Sequence, residues 1–304
     1  MIMSKVTIKI QPTNRPAIVK FEANVFLTKH KNYEFKNIDE AKDSPLAQQL
    51  FYLPFTKTVY VSGNFIAIER YDIVEWADVQ NEVAEQIEAY LNSGQPVVIE
   101  DTENKKVPVS IYAENTPNPA VMKFVANKKL VLSPFEFKNI DDAKDAPLAS
   151  ALFHFPFVKE VFIDENYVSI SKYDIADWND IAQELREFIR MHIEEGKEII
   201  TEAYSIQSQK ENKSASVASD ITDLDDTSQQ IVDILEEYVK PAVASDGGNI
   251  VFKSYDEQSK TVSVILQGAC SGCPSSTITL KNGIETMLKN MMQDKVNEVV
   301  AING

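Results

Sequence analysis

Apolar residues recur at helical spacing in several stretches of the chain. Trp76, Val79, Val83, Ile87 and Tyr90 fall on one face of a predicted helix that stops at Gly94, and Trp178, Ile181, Leu185 and Phe188 do the same before Gly196. Further on, Thr227 with Gln230 forms a capping box, and Ile231, Ile234, Leu235 and Tyr238 then line a helix ending near Pro241. The period changes after that. Val262, Val264 and Leu266 alternate within Thr261-Val-Ser-Val-Ile-Leu-Gln267, which reads as a half-buried strand ending at Gly268. A partner strand is expected from Asn249 to Ser254, joined to it by the polar Asp256-Glu-Gln-Ser259. Pro274 then suits the first position of a helix with Ile284, Met287, Leu288 and Met291 on one face, and a short strand near Val296 to Ile302 closes an αββαβ unit.

The front two thirds repeat with a period of about a hundred residues, the size of a duplicated domain and too long for a solenoid unit. Glu34-Phe-Lys-Asn-Ile-Asp39 returns as Glu136-Phe-Lys-Asn-Ile-Asp141, Pro45-Leu-Ala47 as Pro147-Leu-Ala149, Pro54-Phe55 as Pro156-Phe157, Tyr71-Asp-Ile73 as Tyr173-Asp-Ile175, and Trp76 as Trp178. Each copy reads as strands, a short helix around Pro-Leu-Ala, two more strands and a long helix. The expected class is α+β with three small domains: two duplicated α+β domains at 1–102 and 103–203, and a C-terminal αββαβ domain at 227–304. The segment 204–226, rich in Ser, Gln, Lys and Asp, reads as a flexible linker. At ~25 residues its root-mean-square reach is roughly 25–30 Å.

Charge narrows the partners. A formal charge of −16 argues against nucleic acid or an anionic membrane surface and favours basic partner surfaces. No run is long enough to span a bilayer, and Met1-Ile-Met-Ser-Lys-Val6 shows neither an apolar signal core nor an arginine-rich transit pattern. A cytoplasmic protein is expected, and a reducing compartment suits a dithiol.

That dithiol is the chemistry-bearing feature. The 304 residues hold two cysteines, Cys270 and Cys273, in the run Gly268-Ala-Cys-Ser-Gly-Cys-Pro-Ser-Ser276. A C-x-x-C pair is a redox couple, half of a zinc site or half of an iron–sulfur site. The histidines His30, His154 and His192 stand far upstream at no metal-site spacing, so a ligand set of four thiolates needs two chains and a two-fold axis. The pair falls on a strand-to-helix turn, where unpaired backbone N–H groups and the helix dipole are expected to favour thiolate.

Other features have plainer readings. Met287, Met291 and Met292 read as helix core or dimer packing, Trp76 and Trp178 as core, and Gly247-Gly248 as a turn between helix and strand, since no Lys-Ser/Thr follows to make a phosphate cradle. The acidic pairs Glu194-Glu195, Glu236-Glu237 and Asp225-Asp226 read as solvated faces or caps. No histidine accompanies a nucleophile, so no hydrolase constellation is present.

The run from Asp246-Gly-Gly-Asn249 through the cysteine motif to Leu280-Lys-Asn-Gly-Ile-Glu285 resembles the C-terminal domain of the NifU/Nfu family of iron–sulfur scaffold and carrier proteins. The two front copies resemble the family's N-terminal domain. The second is closer, with Asn115-Thr-Pro-Asn-Pro119 and Met122-Lys-Phe124, where the first opens Thr13-Asn-Arg-Pro16. The resemblance implies a non-enzymatic carrier in which Cys270 and Cys273 of each chain ligate a [4Fe-4S] cluster shared by a homodimer. It implies as partners the upstream cluster assembly proteins and the apo-proteins that receive the cluster. The front copies, which lack cysteine, would dock or position partners. A thiol–disulfide oxidoreductase is the alternative, although helix, hairpin and motif do not make the βαβ setting of that chemistry. A platform for first assembly of the cluster is a third reading, without the extra cysteines a multi-site platform would carry.

Overall fold

The computed structural model describes residues 5–28, 31–99, 108–201, 203–205, 225–271 and 274–303. The expected linker lies for the most part outside the described residues. The chain divides into two compact units, Met1–Pro108 and Val109–Gly304.

In the first unit, β1 (Ile8–Pro12), β2 (Ile18–Ala23), β3 (Tyr33–Phe35), α1 (Pro45–Phe51), β4 (Thr56–Ser62), β5 (Phe65–Arg70) and α2 (Trp76–Asn92) follow one another. The strands form an antiparallel sheet in the order β1-β2-β5-β4-β3. Alternation does the sorting: Val19, Phe21 and Ala23 of β2 point inward with Val59, Val61, Ile66 and Ile68, against Leu46, Leu50 and Ile87 from the two helices. Ser44 caps α1 at the Ala47 N–H, and Pro45 occupies its first turn.

The second unit opens with the same plan: β6 (Ile111–Asn115), β7 (Val121–Ala126), β8 (Phe135–Phe137), α3 (Pro147–Leu152), β9 (Val158–Asp164), β10 (Tyr167–Lys172) and α4 (Trp178–Glu194), with sheet order β6-β7-β10-β9-β8. Both α+β copies are therefore present as expected. One detail differs: Trp76 is buried, whereas Trp178 is only partly so, its indole N–H donating to Pro119 O (2.9 Å), and Ile189 rather than Phe188 reaches the core of α4.

The C-terminal part consists of α5 (Asp226–Ile234), a π-helical turn at Leu235–Val239, α6 (Lys240–Ser245), β11 (Gly248–Asp256), β12 (Thr261–Gly268), α7 (Pro274–Met292) and β13 (Glu298–Asn303). β12 runs antiparallel to β11 and parallel to β13. Three expectations need correction. The cap of α5 is Asp225, whose carboxylate accepts from the Thr227 and Ser228 N–H groups, two residues before the expected Thr227 cap. Pro241 does not end the helix, because the π turn before it absorbs the missing N–H; the wider turn also carries Val239 inward and leaves Tyr238 exposed. On α7, Ile284, Leu288 and Met292 are buried while Met291 is exposed.

Candidate functional site

The strand β12 turns at Gly268, whose φ of +64° suits glycine and brings the next residues back over the strand end. The Ser271 N–H donates to Gly268 O (3.0 Å) and the Ala269 N–H to Gly247 O (3.2 Å), so the Cys270 turn rests on the Gly247-Gly248 turn. The approach is close. A Cβ on Gly248 would lie 2.6 Å from Gln267 O and 2.8 Å from Cys270 Sγ. The sequence marked Gly247-Gly248 as a connection between helix and strand, and it is one, but it is also the wall against which Cys270 sits.

Cys270 is 6% exposed and packs into the core of the C-terminal domain with Leu266, Ile284 and Leu288. Burial pushes its thiol up to about 12, and the Asp246 carboxylate adds to the shift. Burial at this residue therefore works against the stabilised thiolate expected of the turn. Cys273 lies outside the described residues, as does His30. His154 Nδ1 is 2.9 Å from Ser150 O and His192 Nε2 3.0 Å from Glu198 O, each engaged within its own helical region.

What covers the turn is the outer sheet face of the second front copy. One row of side chains crosses that sheet in register: Glu114 on β6, Lys123 on β7, Ser169 on β10, Phe162 on β9 and Glu136 on β8. Lys123 Nζ donates to Ala244 O (2.9 Å) and Ser245 O (3.3 Å), placing a cation at the carboxyl end of α6 where the helix dipole favours it. Ser169 Oγ donates to Gly247 O (2.7 Å), and the Gly268 N–H donates to Glu136 Oε1 (2.9 Å). Phe162 lies against Gly268, where a Cβ would stand 2.8 Å from its ring.

Beside this row, the Tyr167 hydroxyl donates to Gly248 O (2.9 Å) and lies 3.4 Å from Asp164 Oδ2, while Asn118 Nδ2 donates to Ala269 O (3.2 Å). Lys123 Nζ also stands 4.5 Å over the Tyr167 ring. Burial raises the Asp164 carboxyl to about 6, helped by the neighbouring Glu165, and burial likewise raises the Tyr167 phenol.

Glu136, Asn118 and Lys123 fall in segments that the repeat and the resemblance mark, though not as contact residues, and Phe162, Tyr167 and Ser169 fall in none; a signal for the set exists in the comparison of the two copies. The matching row of the first copy is Gln11, Lys20, Ala67, Tyr60 and Glu34. Lys20 lies 4.7 Å over the Phe65 ring, as Lys123 does over Tyr167, but Phe65 and Ala67 lack the hydroxyls of Tyr167 and Ser169. Arg15 stands where Asn118 does. The divergent opening Thr13-Asn-Arg-Pro16 is thus one corner of a larger difference between the two faces.

Two duplicated sheet-and-helix domains followed by a small domain built around a cysteine turn describe a class of modular scaffold protein. Residues 8–94 and 111–196 each match the family model described as scaffold protein Nfu/NifU N terminal, and residues 231–300 match the NifU-like domain. The chain belongs to the Nfu/NifU scaffold protein family. Similar proteins include the NFU1 iron-sulfur cluster scaffold homolog, mitochondrial, of Drosophila willistoni (34% identity; 59% of this chain and 59% of the relative) and NifU-like protein 4, mitochondrial, of Arabidopsis thaliana (30%; 60% and 63%). A NifU-like protein of Schizosaccharomyces pombe is 30% identical over 64% of this chain and 73% of its own length. The alignments to the Drosophila and Arabidopsis proteins thus span about three fifths of those relatives.

These comparisons overturn one expectation. The chain was expected to be cytoplasmic, and the Drosophila and Arabidopsis relatives are mitochondrial by name. The expectation rested on the composition of a few opening residues and on the lack of a bilayer-length apolar run, neither of which decides between compartments. Among the described residues, no helix is long and apolar enough to cross a membrane.

Proposed function

We propose that this chain is a carrier of iron–sulfur clusters: it receives a cluster from assembly proteins, holds a [4Fe-4S] cluster between the C-terminal domains of two chains through Cys270 and Cys273 of each, and passes it to apo-proteins. The observation that supports this most is the position of Cys270, on a tight turn between β12 and α7 in a domain matched by the NifU-like model. Glycines on either side leave backbone there without side chains, so an inorganic core can approach closely. The relatives named iron-sulfur cluster scaffold lend their cargo to the reading. The cluster is cargo rather than a resident group, and two thiolates per chain form a holding site that client thiolates can displace one at a time. The front copies serve as positioning modules. Nothing observed favours the oxidoreductase alternative.

The test is iron and sulfide per chain after anaerobic reconstitution, with the Mössbauer spectrum and the dimer fraction taken on one sample. About two irons and two sulfides per chain, confined to the dimer, is the expected result for a shared four-iron cluster. Cys270→Ser and Cys273→Ser should each abolish stable binding with the front copies still folded. A full cluster retained by either variant would overturn the ligation.

A further inference from the structure

We propose that the outer sheet face of the second front copy is a latch for the cysteine turn of the same chain, and that Cys270 becomes available to cargo only when this latch opens. The inference rests on the carrier reading for the identity of the cargo alone.

The fit is specific. Two glycines of the C-terminal domain, Gly247 and Gly268, meet the sheet face where a side chain would collide. A Cβ on Gly247 would lie 2.8 Å from Ser169 Oγ, and one on Gly268 would lie 2.8 Å from the Phe162 ring. Gly248 presents its carbonyl to Tyr167 and its bare Cα to Cys270. Around these approaches Lys123, Glu136, Ser169, Tyr167 and Asn118 satisfy backbone groups of the two segments that flank the Cys270 turn, 244–248 and 268–269. Cys270, 6% exposed, is packed into the core of its own domain and sits beside Gly248, whose carbonyl the sheet face holds. A sulfur that bridges to a second chain must reach the surface of its own, so closure and sharing of a cluster exclude each other.

The contact is also suited to opening. It is composed largely of side-chain to backbone hydrogen bonds, the neutral ones of which trade against water at small net cost, with Lys123 and Glu136 as its charged members and Phe162 as its apolar one. Polar contacts of this kind between domains are typical of transient association. The first copy supplies an internal comparison: Phe65, Ala67 and Arg15 take the places of Tyr167, Ser169 and Asn118, so it retains the fold, with Lys20 and Glu34 at the positions of Lys123 and Glu136, but without three of the five latching groups.

Timed alkylation of the full-length, reduced, metal-free chain with iodoacetamide, read at Cys270 by peptide mass spectrometry, tests this directly. Tyr167→Phe with Ser169→Ala converts the latch to the first copy's residues and should speed labelling about tenfold or more, the factor expected for two lost hydrogen bonds. Ser169→Arg, which adds bulk on the outward face and leaves the core of its own domain untouched, should act in the same direction. Phe65→Tyr with Ala67→Ser in the first copy should change nothing. Equal rates in the wild type and both latch variants would overturn the proposal. Because labelling needs no cluster, that failure would leave the carrier reading standing, and loss of the carrier reading in the iron assay would leave the latch standing.

Discussion

Ser169 Oγ lies 2.7 Å from Gly247 O, and a Cβ placed on Gly247 would come within 2.8 Å of the same hydroxyl oxygen. One side chain thus both bonds to the glycine turn and fills the space a larger residue there would need. Gly247 has a φ of +83°, so it is held by backbone conformation and by its neighbour together.

Gly247→Ala is accordingly expected to destabilise the second unit by about 1–3 kcal/mol, from strained φ and crowding combined. Part of that cost should return when Ser169→Ala is added, a coupling of about 0.5–1 kcal/mol in a double-mutant cycle followed by urea unfolding. Strict additivity would show that the two residues do not meet in solution.

The two lysines that stand over aromatic rings should differ sharply in importance. Lys123→Met removes a cation from two carbonyls at the end of α6, and a loss of about 1.5–3 kcal/mol is expected. Lys20→Met removes only longer contacts, 3.5 Å to Gln11 and 3.5 Å to Glu22, and should stay within about 0.5 kcal/mol. Hydrogen exchange of the Gly247–Asn249 amides in the two variants would separate the cases.

Asp164 ties the second unit to pH. Its carboxyl rises from 3.8 to about 6 on folding, chiefly through burial and also through Glu165, with Lys240 opposing. A raised carboxyl contributes fully below its unfolded value and loses that contribution as pH climbs through about 6. Asp164→Asn should therefore match the wild type near pH 4 and exceed it by about 2 kcal/mol at pH 7.5, measured as the difference in urea unfolding free energy. A wild type as stable as the variant at pH 7.5 would refute the assignment.

The cap of α5 behaves oppositely. Hydrogen bonds from Ser228 and from the Thr227 N–H hold the Asp225 carboxyl below its ordinary value. Its stabilisation is present above the ordinary carboxylate range and fades as the carboxyl protonates in acid. Asp225→Ala should cost about 1 kcal/mol at pH 7, seen as faster hydrogen exchange through the first turn of α5, and nearly nothing at pH 2.

Much of this architecture could be read from periodicity alone. The tandem copies were visible as repeated Glu-Phe-Lys-Asn-Ile-Asp and Pro-Leu-Ala segments, and β12 as alternating Val262, Val264 and Leu266, because each pattern is local and repeats at the period of its element. The errors arose where one local feature masked another. Pro241 looked like a terminator because the π turn that accommodates it has no sequence signature of its own. The covered state of Cys270 was unreadable for a different reason. Lys123, Phe162, Ser169 and Glu136 lie on four strands and come into one row only through sheet register, and their target is a run of backbone atoms that leaves no trace in side-chain pattern.

The hydrogen bonds named between the second copy's sheet and the C-terminal domain all end on main-chain atoms of the latter. Such an interface recognises the course of the chain and is indifferent to most of its lettering. A change of polar side chain in the cysteine turn leaves these bonds in place, whereas a side chain added at Gly247 or Gly268 collides with the sheet. The demand on side chains then falls unevenly on the two partners: the sheet contributes particular hydroxyls, a lysine, an asparagine and a carboxylate, and the C-terminal domain contributes the path of its backbone.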